Sequence, residues 1–240
     1  MGTMDAALFE APAPGGPRPN PPGMPDWRRS HGPMVNAPWP VVALTAVIVV
    51  GYAVQSRFSL PFVAEALAYW PQILAEGRWE RLLSYQFLHG NWAHALMNAA
   101  FVLAFGAPVA RLFGPRIMGA ILFFALYLAC GVLAALGFTA VHWAGEAAPL
   151  VGASGAASGL MGAAARLIGG HGDVGPLFSR AVIGMGLAWL VVNLIMALTG
   201  GLLIPGAGGA QIAWEAHLFG FVAGVLAVGP FAWIARITRA

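Results

Sequence analysis

The chain has little charge and no lysine. Only 9% of its 240 residues are charged, and all 12 basic residues are arginine. A water-soluble domain of this length carries about a quarter charged residues. So few charges cannot cover a soluble fold with polar surface, which excludes an ordinary water-soluble globule. The single cysteine, Cys130, rules out an intrachain disulfide and reads as a packing residue in its apolar segment. HExxH is missing, and His89 and His94 do not have the i,i+4 spacing of a shared helical zinc site. No basic run with interleaved aromatics is present, so the net charge of +3 is not a nucleic-acid signal. In a membrane protein such a balance reports topology instead.

What the chain has in quantity is apolar residues, 59% of the total. They fall into six stretches, expected as spans near 38–55, 92–113, 117–142, 152–169, 181–200 and 211–237. The expected fold class is an all-α membrane protein, a bundle of six transmembrane helices. The fourth stretch is dominated by Gly, Ala and Ser. Small residues let helix backbones approach closely, so this helix is expected at the centre. Residues 1–36 are rich in Pro and Gly and contain little to bury; they read as a disordered cytoplasmic tail ahead of one domain over 37–240.

With the tail placed inside, nine arginines fall on inner segments and three (Arg57, Arg78 and Arg81) on outer ones. This puts both termini in the cytoplasm by the positive-inside rule. The Ala, Gly and Arg bias suggests a GC-rich bacterial genome, hence a multi-pass protein of the plasma membrane. The long segment 56–91 is too polar to span, and its Leu60, Phe62, Leu67 and Ile73 suggest short amphipathic pieces at the interface. Trp70, Trp79 and Trp92 fit an aromatic belt. A second outer loop, 200–209, is dense in glycine and reads as mobile.

Polar side chains in such a protein tend to mark function. His94 and Asn98 lie in the first turns of the second span, Ser154 opens the fourth, and His217 lies near the start of the sixth. These three spans run in the same direction, so all four residues share one depth in the outer half of the membrane. Peptide hydrolysis needs a nucleophile, a base and donors for the developing oxyanion. Ser154 with His217 supplies the first two. His94 and Asn98, spaced i,i+4, share a helix face and can both donate. A helix N-terminus at Ser154 adds free N–H groups and a favourable dipole.

The segment from His89 to Asn98, with His94 between, resembles the HxxxxHxxxN signature of the rhomboid intramembrane serine proteases. Gly152-Ala153-Ser154-Gly155 resembles their GxSG nucleophile motif, and Ala216-His217-Leu218-Phe219-Gly220 with Gly224 resembles their AHxxGxxxG helix. The three occur in family order on matching spans. The resemblance implies a six-helix core, a Ser154–His217 catalytic dyad, and an oxyanion site from His94, Asn98 and the Ser154 amide. It implies transmembrane protein substrates and no metal or other cofactor. It also implies that the 200–209 loop caps the site and that the loop after the first span is a membrane-embedded support.

Two positions depart from the pattern. Where the family often has Trp-Arg, Arg81 follows Glu80, with Trp79 one place earlier. Where many bacterial members have a Tyr stacked on the catalytic histidine, this chain has Ser158. Some other group, or close Gly/Ala packing, must then hold the His217 ring. His89 and Arg81 read as structural ties of the long loop, and Gly152, Gly155 and Gly220 as close-packing support. Glu215, two residues before His217, points to another helix face and reads as facing the headgroups. Singly, each polar residue fits a packing role. The alternatives to a protease are an inactive rhomboid-like scaffold that binds membrane proteins, which needs neither Ser154 nor His217, and a small transporter, for which the sequence shows no internal repeat or broken helix and places the polar cluster toward one face.

Overall fold

The structure is a computed structural model that describes residues 37–143, 148–200 and 212–238. The described residues form eight α-helices: α1 Trp39–Gln55, α2 Leu60–Leu67, α3 Arg81–Ser84, α4 Trp92–Phe113, α5 Ile117–His142, α6 Ser154–Gly169, α7 Arg180–Leu198 and α8 Trp214–Ile237. Short 3-10 turns at Pro71–Leu74 and Tyr85–Phe87 flank α3. The only pairing of extended backbone among the described residues is an isolated bridge between Tyr69 and Leu150. Helices α4, α5, α7 and α8 are long and apolar enough to cross a membrane. Helix α1, at 17 residues, and α6, at 16, are shorter. The expected tail (1–36) and the expected cap loop beyond Gly200 lie outside the described residues.

Local sequence explains the ends of the elements. Asn91 caps α4 through its side chain, which accepts the His94 N–H at 2.8 Å. Ser179 caps α7 in the same way through Val182. Gly114, with φ 87°, ends α4 and turns the chain toward α5, a conformation that favours glycine. At the far end of α6, Arg166 bonds the carbonyls of Gly175 (2.9 and 2.6 Å) and Val225 (3.1 Å). That guanidinium ties the α6–α7 connection to α8.

Helix α6 is the centre of the bundle and packs against α4, α5, α7 and α8. Every residue from Gly155 to Ala165 is buried. Its closest partner is α8, and the contact is backbone on backbone. A Cβ at Gly220 would lie 2.0 Å from the Gly155 carbonyl oxygen, and one at Gly224 only 1.7 Å from that of Gly159. A Cβ at Gly162 would lie 2.1 Å from the Phe221 oxygen. Both members of the Gly155–Gly220 and Gly159–Gly224 pairs advance one turn together, so α6 and α8 run parallel and in register. Their N-termini therefore lie at the same end.

The segment between α1 and α4 is a polar-stitched support. Arg81 is 1% exposed, and its guanidinium donates to the carbonyls of Glu65 (2.9 Å) and Ala68 (3.3 Å). Ser84 donates to the Leu67 carbonyl at 2.7 Å. Tyr69 and Thr139 share a hydrogen bond, and Tyr85 donates to the Gly131 carbonyl at 2.7 Å, so the segment is fastened to α5. Leu60, Phe62 and Leu67 are exposed, whereas Ile73 is fully buried and joins the core instead of an interface. Buried backbone carbonyls need donors when water is excluded, and these side chains supply them.

The helix seam generates a test. Gly224→Ala should lower the unfolding midpoint in detergent, at a cost of about 1–3 kcal/mol for overpacking. Gly184→Ala is the control: a Cβ there meets nothing within 4 Å. It should leave the midpoint unchanged or raise it slightly, since alanine favours helix. Equal midpoints for the two variants would contradict the backbone contact.

Candidate active site

Ser154 is the first residue of α6 and is half-buried; His217 lies in the first turn of α8 and is buried. The in-register seam brings them together, with Ser154 Oγ 2.8 Å from His217 Nε2. The other ring nitrogen, Nδ1, lies 2.7 Å from Asn193 Oδ1 on α7. An amide oxygen can only accept, so Nδ1 carries the ring proton. Nε2 of the neutral ring is then bare and accepts from the Ser154 hydroxyl. The orientation of the Asn193 amide follows from its other end: Nδ2 donates to the Trp189 carbonyl at 2.7 Å. One run of hydrogen bonds therefore links the Trp189 carbonyl, Asn193, His217 and Ser154, all with compatible polarity.

The segment leading into Ser154 is held on both sides of the turn. Leu150 exchanges backbone bonds with Tyr69, and the Gly152 N–H donates to the Tyr85 carbonyl at 2.9 Å. Gly152 has φ 118°, a conformation that favours glycine. It also lies flat against α4: a Cβ there would meet the His94 ring at 2.8 Å and Asn98 Nδ2 at 3.7 Å. His94 and Asn98 thus sit beside the turn that delivers Ser154. The Gly90 N–H points at His94 Nδ1 at 3.4 Å, so the neutral ring carries its proton on Nε2, the atom facing Gly152. Asn98, buried, donates one N–H to the His94 carbonyl at 2.9 Å. The first N–H groups of α6 have no acceptor within their own helix. The arrangement is a hydroxyl bonded to a basic nitrogen, flanked by donors from a second helix and a helix N-terminus.

His89 adjoins this cluster, fully buried, its ring edge-on to His94 at 5.2 Å. Gln55, the last residue of α1, clamps its backbone: the His89 N–H donates to Gln55 Oε1 at 3.0 Å and its carbonyl accepts from Nε2 at 2.6 Å. Gly220 lies against the Gly155 carbonyl across the α6–α8 seam, and a Cβ at Gly155 would meet Ala134 of α5 at 2.8 Å. Glu215 bonds His142 at 3.1 Å, joining the end of α5 to the start of α8. Ser158 donates to the Ser154 carbonyl at 2.7 Å, which directs its hydroxyl back along α6. The ring flanking His217 belongs instead to Trp189, with centroids 5.8 Å apart and planes at 32°. Sequence reading did not single out Asn193 or Trp189. The available signal was an amide inside an otherwise apolar span. Among the described residues no group of three or more His, Cys, Asp or Glu side chains is placed to hold a metal.

This geometry lies within a recognisable family domain. Residues 76–233 match the family model described as the Rhomboid domain, a stretch that contains Arg81, His89, His94, Asn98, Ser154, Asn193 and His217. The chain belongs to the rhomboid family and is a membrane protein with several helices able to cross the bilayer. No curated protein matches it.

His89 makes the acid stability of this region predictable. Burial, with the neighbouring His94 adding to it, lowers its imidazole from 6.5 to about 3. Below about pH 6.5 the unfolded chain therefore binds a proton that the folded chain refuses. This residue's contribution to stability is highest above that pH and is lost as pH falls toward 3. The unfolding midpoint in detergent should drop between pH 7 and 4. His89→Phe, which cannot titrate, should drop less steeply, by up to ~1.4 kcal/mol per pH unit. Parallel slopes for parent and variant would contradict the buried neutral ring.

Proposed function

We propose that this protein is a serine endopeptidase that cleaves transmembrane protein substrates, with Ser154 as nucleophile and His217 as its base. The observation that carries the reading is the 2.8 Å bond from Ser154 Oγ to a His217 nitrogen whose ring partner is occupied by an acceptor. A serine hydroxyl gains nucleophilic power when a base takes its proton as it attacks. Membership of the rhomboid family, a family of intramembrane serine proteases, supports the same chemistry.

In the proposed cycle, Ser154 Oγ attacks the scissile carbonyl while its proton passes to His217 Nε2. The carbonyl oxygen becomes an oxyanion next to His94 Nε2–H, Asn98 Nδ2–H and the Ser154 N–H, each oriented before charge develops. His217 then gives the proton to the leaving amine, and the acyl-enzyme remains. Water entering from the outer side repeats the sequence and releases Ser154. In this reading α1 and α6 join the four longer helices to make six crossings within one domain over 37–240. Both termini are cytoplasmic, and the membrane is the bacterial plasma membrane. Arg81, His89, Gly152, Gly155 and Gly220 support the site without touching substrate.

The test is cleavage of a transmembrane substrate by the purified protein in proteoliposomes. Ser154→Ala and His217→Ala should each reduce the rate by at least about 10³-fold. Asn98→Ala should reduce kcat by about 10²-fold, the usual cost of one oxyanion donor. Fluorophosphonate labelling of the parent should be abolished by Ser154→Ala. Cleavage by Ser154→Ala at the parental rate would overturn the proposal. A folded parent that neither cleaves nor labels would identify a scaffold.

A further inference from the structure

Helix α7 is the outlier of the bundle. Its only buried residues are Val182 and Asn193, while Leu187, Val191, Leu194, Ile195 and Leu198 are exposed. A helix that buries so little would not be expected to spend a buried position on a primary amide. Burying an unbonded amide is costly in an apolar setting, so its bonds identify its purpose. Asn193 is 0% exposed, and both ends of its amide are used. Nδ2 donates one turn back to Trp189, and Oδ1 faces His217 Nδ1 at 2.7 Å. The first bond prevents the amide from flipping, and the second acts on a group in the proposed catalytic pair.

A neutral imidazole can carry its proton on either nitrogen. With the proton on Nε2, His217 cannot accept from Ser154. An acceptor fixed at Nδ1 removes that tautomer and sets the rotation of the ring. It also accepts a stronger, charge-assisted bond once the imidazolium forms. An amide does this without the desolvation cost of a buried carboxylate. The Trp189 ring, one turn away on the same helix face, flanks His217 where Ser158 does not reach.

We propose that Asn193 is the positioning residue of the site, the third member of a Ser154–His217–Asn193 arrangement contributed by α7. The proposal rests on Ser154 and His217 being nucleophile and base. Asn193 touches no substrate; it acts through the His217 ring. Trp189 supports it twice, with its carbonyl on the Asn193 amide and its ring beside the imidazole. The bland role for the same residue is a hydrogen bond that merely fastens α7 to α8, and that role predicts loss of stability rather than loss of turnover.

The experiment compares full-length parent, Asn193→Leu, Asn193→Asp and Ser154→Ala in proteoliposomes with a transmembrane substrate. It reads kcat, KM, the fluorophosphonate labelling rate and the unfolding midpoint. Asn193→Leu keeps the volume and loses the acceptor. It should lose about 10²-fold or more in kcat and in labelling rate, with KM within about twofold of the parent. Asn193→Asp keeps an oxygen opposite Nδ1 and should recover most of that loss. If Asn193→Leu does not fold, Asn193→Ala against Asn193→Asp makes the same comparison. Parental kcat in the variant without an acceptor, or equal losses in Asp and Leu variants, would overturn the role of Asn193 while Ser154→Ala stays inactive. Cleavage by Ser154→Ala would instead overturn the underlying catalytic reading.

Discussion

The site depends on one contact that involves no side chain. Helices α6 and α8 meet where a Cβ at Gly220, Gly224 or Gly162 would overlap a carbonyl oxygen of the facing helix, those of Gly155, Gly159 and Phe221 respectively. In a bilayer the tails are as apolar as leucine, so burial of greasy side chains gives little reason for two helices to associate. Close backbone packing then supplies the dispersion that holds them. The same contact sets register. Because the paired glycines advance together, the first turns of α6 and α8 lie level, and Ser154 and His217 meet at hydrogen-bond distance.

The segment between α1 and α4 adds a second constraint. Tyr69 and Tyr85 fasten it to α5 and also hold the turn at Leu150 and Gly152. Gly152 in turn lies against His94 and Asn98. The support and the site therefore share residues: the backbone that carries Ser154 is aligned by the segment that Arg81 organises. Gln55 performs the matching task from α1 by clamping His89 beside the His94 ring. Neutral groups do nearly all of this. Apart from Arg81, the partners at the core of the site are hydroxyls, amides, imidazoles and backbone. That composition suits an interior where an unpaired charge is more costly than an unpaired dipole.

Much of this was legible from particular residues. The six apolar stretches coincide with α1 and α4–α8 to within a few residues at each end, because long apolar runs bounded by Gly, Pro and Arg leave few other choices. The glycines of the fourth stretch announced a central helix, and α6 is buried along nearly its whole length. The depth argument that grouped His94, Asn98, Ser154 and His217 needed only their distances from helix starts. Asn193 escaped it because it lies near the other end of its span, on a helix that runs the opposite way. Its sequence distance from His217 says nothing about contact. The partner of Glu215 was hidden for a related reason: its helix face was readable, but not that the end of α5 would bring His142 to it.

The amino-acid sequence by itself determined that the chain belongs in a membrane and roughly where its long apolar helices run. Hydropathy, helix-end signals and helical periodicity are local properties, readable without the fold. The tertiary structure alone decided which face of α7 turns inward, what occupies the second nitrogen of His217, and which tautomer the ring adopts. Those depend on distances between side chains on separate helices, and backbone packing at the glycine seam sets such distances only once the bundle is assembled.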